Sequence, residues 1–312
     1  MKLIKKIILA FAALIILSLT AGYFYFDKKF SPPQNYLKVY GSADNIPLKW
    51  VSEAENPYSA LLLPVQIKGV KETFYMQLDL GSPVTVFYKK SLQSIKEKLP
   101  KQIHFNQESK EIPLDFKLGN LIVSSEKFQL LDYGKKVDTK TSNAVNIIGT
   151  IGTDLAEKRT VILDFANNTS SFNEKNISNK AFKFEFKKRK LLFPAKIDNQ
   201  NLKLLYDSGT SGYELIVNKE EWQKYKTKNG GIKTEKGNSW GNILHVISAP
   251  ANKEMLFGKT KLKISEVTYI EGVSKMQTFL MKRSGMQGMI GNKIFLNHKL
   301  TIDCKNEKFT VE

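Results

Sequence analysis

The sequence predicts an all-β body built from two homologous β lobes, and three observations predict it. From Ala60 onward, short apolar runs, many of them alternating, are broken by Gly, Asn and Lys, as in Leu63-Pro64-Val65-Gln66-Ile67 and Phe182-Lys183-Phe184-Glu185-Phe186. That period of two is the signature of strands. Helical spacing is confined to two short stretches, Lys89 to Leu99 and Lys219 to Tyr225. The β pattern also occurs twice, landmark by landmark, which marks an internal duplication.

In chain order, the first element is the uncharged apolar run Ile7 to Phe26, preceded by Lys2, Lys5 and Lys6. At about 1.5 Å per residue a helix of that length spans the hydrocarbon core of a bilayer. A cleaved signal peptide is the competing possibility, but its apolar region is usually about 7–15 residues, and Leu19 stands where cleavage would want a small residue. Residues 1–29 are therefore expected to be an N-terminal transmembrane anchor with the N-terminus inside. Lys28 and Lys29 weaken the charge contrast without reversing it, which puts the body outside the cytoplasm. Residues 30–59, which include Ser31-Pro32-Pro33, read as a tether or covering segment.

Residues 60–180 and 181–312 are expected to be the N-terminal and C-terminal lobes. Leu63-Pro64 opens a strand that leads to Met76-Gln77-Leu78-Asp79-Leu80-Gly81-Ser82; Phe193-Pro194 opens another, leading to Leu204-Leu205-Tyr206-Asp207-Ser208-Gly209-Thr210. Leu118-Gly119 and Phe257-Gly258 then precede one further strand each. Gly119 to Gly152 spans as many residues as Gly258 to Gly291, and Gly152 to Asp164 as many as Gly291 to Asp303. Equal spacings at several landmarks do not arise by coincidence.

Composition narrows the function. Of the 312 residues 42% are hydrophobic and 25% charged, so the chain can bury real cores. The formal charge of +18 comes from Lys and Arg spread along the whole length, without the Arg stripe and interleaved aromatics of a nucleic-acid groove. No nucleic-acid partner is expected. Cys304 is the only cysteine, which rules out an intrachain disulfide, and the histidines His104, His245 and His298 are scattered through polar segments. With no CxxC and no HExxH, neither metal nor cofactor is expected.

An isolated Asp-x-Gly is ordinary turn chemistry. Here each Asp ends an apolar strand, is followed by Gly and a hydroxyl residue, and leads into a second apolar strand: Val84-Thr85-Val86-Phe87 after Asp79, Leu215-Ile216-Val217 after Asp207. Two such loops facing each other would need Gly81 and Gly209, because side chains there would obstruct close backbone approach. Two carboxyl groups in one site cannot both ionise cheaply, so one keeps a proton while the other is charged. The charged member can deprotonate water and the protonated one can donate to a carbonyl oxygen.

At these residues the chain resembles the two-lobed, pepsin-like aspartic peptidases related to the retropepsins. Their lobes each carry Asp-Thr/Ser-Gly-Thr/Ser and, later, two hydrophobic residues and a glycine. Asp207-Ser208-Gly209-Thr210-Ser211 matches the first motif, and Met289-Ile290-Gly291 the second; in the first lobe Ile147-Ile148-Gly149 or Thr150-Ile151-Gly152 would serve. The resemblance covers roughly residues 60 to 312. It implies the bilobal acid-protease fold, with an extended peptide or protein substrate in the cleft, Asp79 and Asp207 catalytic, and Gly81, Ser82, Ser208, Gly209 and Thr210 supporting their loops. A monomer would suffice for the site. The hydroxyls of Ser82 and Thr210 would bond the outer carboxylate oxygens.

Two departures stand out. Leu80 replaces the hydroxyl residue that, in the family, bonds across to the opposite lobe, so only Ser208 can donate. No tyrosine in the stretch Gln102 to Leu114 suits the flap, and Phe105 there reads better as a buried strand aromatic than as a cover. On sequence grounds Leu80→Thr would keep activity and add about 0.5–1.5 kcal/mol of stability, if its surroundings accept a hydroxyl.

An aspartic endopeptidase is thus the expected function, with a catalytically impaired peptide-binding or scaffold protein of the same fold as the alternative. A glycosidase fits less well, because its carboxyls stand about 5 Å or more apart. For the anchor, fractionation of expressing cells should place the full chain with membranes and a chain starting at Phe30 in the soluble fraction; equal partition of both would refute the anchor.

Overall fold

The described chain from Lys38 onward is built mainly of strands. A computed structural model describes residues 31–53, 56–138, 140–141, 144–177, 181–239, 242–272 and 285–312, together with 22, 27 and 28. Met1–Gln34 and Asn35–Glu312 are separate units, and the second holds the whole β body. The apolar run Ile7 to Phe26 lies, apart from Gly22, outside the described residues. Among the described residues no helix is long and apolar enough to cross a membrane.

The first half holds β1 (Lys38–Tyr40), β2 (Ala43–Pro47), β3 (Lys49–Glu53), β4 (Asn56–Ile67), β5 (Phe74–Leu78), β6 (Val86–Tyr88), β7 (Glu111–Leu118), β8 (Leu121–Leu131), β9 (Ile147–Ile151), β10 (Thr160–Asp164) and β11 (Thr169–Asn173). The second holds β12 (Phe182–Lys183), β13 (Glu185–Lys187), β14 (Lys190–Ile197), β15 (Gln200–Tyr206), β16 (Leu215–Val217), β17 (Lys233–Ser239), β18 (Asn242–Phe257), β19 (Thr260–Glu271), β20 (Gly288–Ile290), β21 (Lys299–Asp303) and β22 (Lys308–Val311). Helices α1 (Lys89–Lys98) and α3 (Lys219–Tyr225) fall where the helical spacing put them, and α2 (Thr153–Ala156) is a single turn.

Each half builds one eight-stranded sheet with the same inner order, β4-β5-β9-β6-β8 in the first and β14-β15-β20-β16-β19 in the second. β5 runs parallel to β9 as β15 does to β20, and β6 and β16 each pair antiparallel with those partners. The arrangement is mostly β and two-lobed. The landmark glycines close equivalent hairpins: Gly119 between β7 and β8 at φ +58°, and Gly258 between β18 and β19 at φ +65°. A Cβ at Gly258 would also stand 2.6 Å from Phe182 Cδ2, so both backbone and packing demand glycine there.

A third sheet joins the lobes in the order β12-β22-β21-β10-β11-β2. Its centre is the antiparallel pair β10 and β21, with Val161 opposite Ile302 and Leu163 opposite Leu300. The two segments that close the repeats are therefore hydrogen-bonded to each other. Residues 38–53, within the stretch that reads as a tether or covering segment, supply β1, β2 and β3, which pair with β8, β11 and β4. Their sparse apolar content hides them, because edge strands bury only part of one face.

One apolar core runs through both lobes. In its second half Phe309 is fully buried, with its ring centroid 4.7 Å from that of Phe193 and 4.8 Å from that of Phe257. Phe309→Ala should cost about 3–5 kcal/mol, the usual loss when a buried aromatic leaves a cavity. Denaturant unfolding would measure it, and a loss below about 1 kcal/mol would mean that this cluster does not hold the second lobe together.

Candidate active site

The sequence of each loop dictates its geometry. β5 and β15 end at Leu78 and Tyr206, and the next residue's N–H continues the pairing onto the parallel neighbour: Asp79 N donates to Ile151 O and Asp207 N to Ile290 O, each at 3.0 Å. The chain then turns tightly, with Ser82 N to Asp79 O and Thr210 N to Asp207 O at 3.1 Å each. These equivalent bonds identify Thr150-Ile151-Gly152, rather than the motif ending at Gly149, as the counterpart of Met289-Ile290-Gly291.

The turn leaves N–H groups aimed at the carboxylates. Asp79 Oδ1 accepts from Gly81 N and Ser82 N at 3.0 Å each, and Asp207 Oδ1 accepts from Gly209 N at 2.9 Å. The two half-buried carboxyl groups meet at the lobe boundary and hydrogen-bond to one another. Each glycine packs against the opposite carboxyl: a Cβ on Gly81 would lie 2.3 Å from Asp207 Oδ1, and one on Gly209 2.6 Å from Asp79 Cγ. No side chain fits at either position.

Burial raises both aspartates. For Asp207, burial and the neighbouring Asp79 charge push the carboxyl well above its ordinary value, and donating the shared hydrogen bond raises it further. For Asp79, burial raises the carboxyl while the bond from Asp207 and the Ser82 and Gly81 N–H groups oppose the rise. Both shifts favour a pair that holds one proton between its two carboxyls and titrates as one unit.

The hydroxyls divide differently from the expectation. Ser208 Oγ donates across the boundary to Leu78 O at 3.0 Å and accepts from Leu80 N at 2.8 Å. Ser82 Oγ instead donates to Val84 O at 2.9 Å, and Thr210 Oγ1 to Asp207 O at 2.8 Å. Neither hydroxyl is bonded to a carboxylate; the backbone N–H of the same residues bonds the aspartate instead. A tight turn aims N–H groups inward and turns the side chain back along the chain, so residue type alone does not reveal which group serves.

Thr153 and Asn292, which follow the second glycine of each repeat, belong to no motif in the sequence, yet both brace the loops. Thr153 Oγ1 bonds Leu80 O at 2.9 Å and Ser82 O at 2.7 Å. Asn292 Nδ2 bonds Ser211 Oγ at 2.6 Å and Ser208 O at 3.3 Å, while its Oδ1 accepts from Tyr206 OH at 2.6 Å. Their equivalent place in the repeat is the signal that could have found them. Phe105 is partly buried against the core, beneath Lys96, and not in a strand. Between α1 and β7 the described chain forms no hairpin, whereas the second lobe has β17 and β18 after α3. Tyr213 OH, just beyond the Asp207 loop, bonds Glu235 Oε1 on β17 at 2.8 Å.

No protein-family model and no curated protein sequence matches the chain. Among solved structures, an aspartic proteinase from Irpex lacteus aligns with a TM-score of 0.46 and 10% identity, over 88% of this chain and 97% of that one.

Burial at the site has measurable effects on stability. Leu80 is fully buried in the core, so Leu80→Thr should destabilise by about 1–3 kcal/mol, because lost apolar packing outweighs one added bond. A gain in melting temperature would show that the hydroxyl finds a partner. Because folding raises the pair above the ordinary 3.8, its contribution to stability is complete below 3.8 and is lost as pH rises through the raised range. Asp207→Asn stays neutral throughout, so its melting temperature should fall less than that of the wild type as pH rises above 3.8. Parallel melting curves for the two proteins would contradict the raised pair.

Proposed function

We propose that the chain is an aspartic endopeptidase of the bilobal acid-protease type that hydrolyses peptide bonds in extended peptides or proteins. The observation that supports this most directly is the hydrogen-bonded Asp79 and Asp207 carboxyl pair, each member backed by the glycine of the other lobe.

In this mechanism a water molecule binds across the pair. Asp79, the charged member, takes its proton as the oxygen attacks the scissile carbonyl carbon. Asp207 donates its proton to the carbonyl oxygen, giving a neutral gem-diol at the tetrahedral stage. Collapse breaks the C–N bond: the proton now on Asp79 passes to the leaving nitrogen and one from the diol returns to Asp207, restoring the pair. N–H groups from Gly81 and Ser82 keep Asp79 ionisable despite its burial. The substrate would lie between the lobes, and the β17–β18 hairpin, tied to the Asp207 loop through Tyr213 and Glu235, would border it from the second lobe. Its setting belongs to the same proposal: a body held outside the cytoplasm by the apolar run Ile7 to Phe26.

Leu80 favours the second possibility, a peptide-binding or scaffold protein with impaired turnover, since only Ser208 completes the cross-lobe hydroxyl bond. Variants separate the two. Asp79→Asn and Asp207→Asn should each lower kcat on an unstructured protein by about 10²–10⁴-fold or more, with the double variant little worse than either single one. A transition-state-mimicking inhibitor of aspartic peptidases should abolish wild-type cleavage. Cleavage surviving in either Asn variant would eliminate the pair, and inactive wild type would favour the binding protein.

A further inference from the structure

Leu80 leaves its place in the Asp79 loop without a hydroxyl to bond across the boundary, yet the second lobe reaches that loop by another route. β13 and β14 are joined by the two-residue turn Lys188-Arg189, with Lys187 paired to Lys190. Both turn residues have positive φ, +51° and +56°. Such turns favour Asn and Gly, because the Cβ crowds a carbonyl oxygen in left-handed backbone, a clash that Gly avoids and Asn offsets with local hydrogen bonds. Arg189 is also buried, which is unusual for arginine in a hairpin turn.

Its guanidinium points into the other lobe. Nε lies 3.1 Å from Glu157 Oε2, and Nη1 donates to Pro83 O at 3.1 Å. Glu157 is held in turn by Asn35, whose Nδ2 bonds Glu157 Oε2 at 2.8 Å and Asp154 O at 2.9 Å. Pro83 directly follows Asp79-Leu80-Gly81-Ser82, and its fixed φ passes a restraint on its carbonyl to the loop before it. The equivalent hairpin of the first lobe, β3 to β4, reaches the opposite way. It pairs Glu53 with Asn56, and the Asn56 amide lies against Gly212, where a Cβ would stand 2.0 Å from Nδ2. Each lobe thus sends a hairpin to the loop of the other, and Arg189 is the cationic member of the two contacts.

We propose that Arg189 is a positioning residue for Asp79: from the second lobe it fixes the Asp79 loop through the Pro83 carbonyl, where the Leu80 side chain provides no cross-lobe bond. Its expected effect on turnover rests on the peptidase function proposed above; its effect on the carboxyl pair does not. Removing the cation and loosening the loop weakens the N–H bonds to Asp79, which makes ionisation of the pair harder.

The test tracks the Asp79 and Asp207 carboxyl carbons by NMR across pH in the full chain, alongside kcat and KM on a peptide. The variants are Arg189→Met, Glu157→Gln, and both together. In Arg189→Met the first ionisation of the pair should rise by about half a unit or more. Its kcat should fall about tenfold with KM within about twofold, since misplacement of a reacting group costs turnover more than binding. Glu157→Gln, which leaves Arg189 on Pro83, should titrate as wild type does. The double variant removes the carboxylate that Arg189→Met leaves unpaired and carries the same expectation as that variant, so a folding failure in the single one does not decide the matter. Unchanged carboxyl titration in folded protein lacking Arg189 overturns the inference, even if wild type cleaves peptide. A shifted titration in a protein that never cleaves supports the positioning role and overturns the peptidase function instead.

Discussion

Asp79 and Asp207 can share a hydrogen bond because two backbones approach each other with nothing larger than hydrogen on Gly81 and Gly209. A methyl group at either position would overlap the opposite carboxyl. Everything that holds the lobes in place serves that approach: the β10–β21 pairing, the core that runs through both halves, and the hairpins that cross the boundary. Small errors matter here, because carboxyl groups a few ångströms further apart would ionise independently and lose the asymmetry of charge that acid and base work needs.

The loops are near copies in backbone but not in chemistry. Behind the first, the buried Asp154 carboxyl accepts from Thr85 N and Thr85 Oγ1 at 2.8 and 2.7 Å. At the equivalent place behind the second, Lys293 Nζ stands 3.7 Å from Glu214, whose carboxylate also accepts from Ser265 N and Glu266 N. One lobe uses hydroxyl and carboxyl, the other an ion pair, for the same task of bracing the strand after the loop to the turn after the second glycine. Duplication preserves geometry, and each copy then satisfies its buried polar groups with whatever residues it holds.

Cross-lobe contacts diverge in the same way. Ser208 bonds the first lobe through its hydroxyl, whereas the first lobe answers with Leu80, an apolar side chain taken up by the core. The Arg189 guanidinium and the Asn56 amide add contacts on either side of that seam. An arginine fork can span a carboxylate and a carbonyl at once, with a separate N–H for each.

Strand periodicity and the duplicated landmarks carry most of the fold in the sequence, because both express short-range constraints: alternation of faces, left-handed glycines in tight hairpins, and an Asp-x-Gly turn wherever two loops must meet. The helices α1 and α3, the hairpin glycines Gly119 and Gly258, and the two Asp-x-Gly turns are legible for that reason. Residues 38–53 are not, since edge strands gain stability from partners far along the chain. Which atoms of Ser82 and Thr210 face the carboxylates, which glycine stands behind the first loop, and the service of Thr153, Asn292 and Arg189 depend on packing between segments remote in sequence. The order of residues is enough to establish two carboxyl-bearing loops that resemble each other. Their contact, the raised protonation range of the carboxyl pair, and the buried arginine that reaches from one lobe to the loop of the other arise only on folding, because burial and distance are properties of the assembled chain.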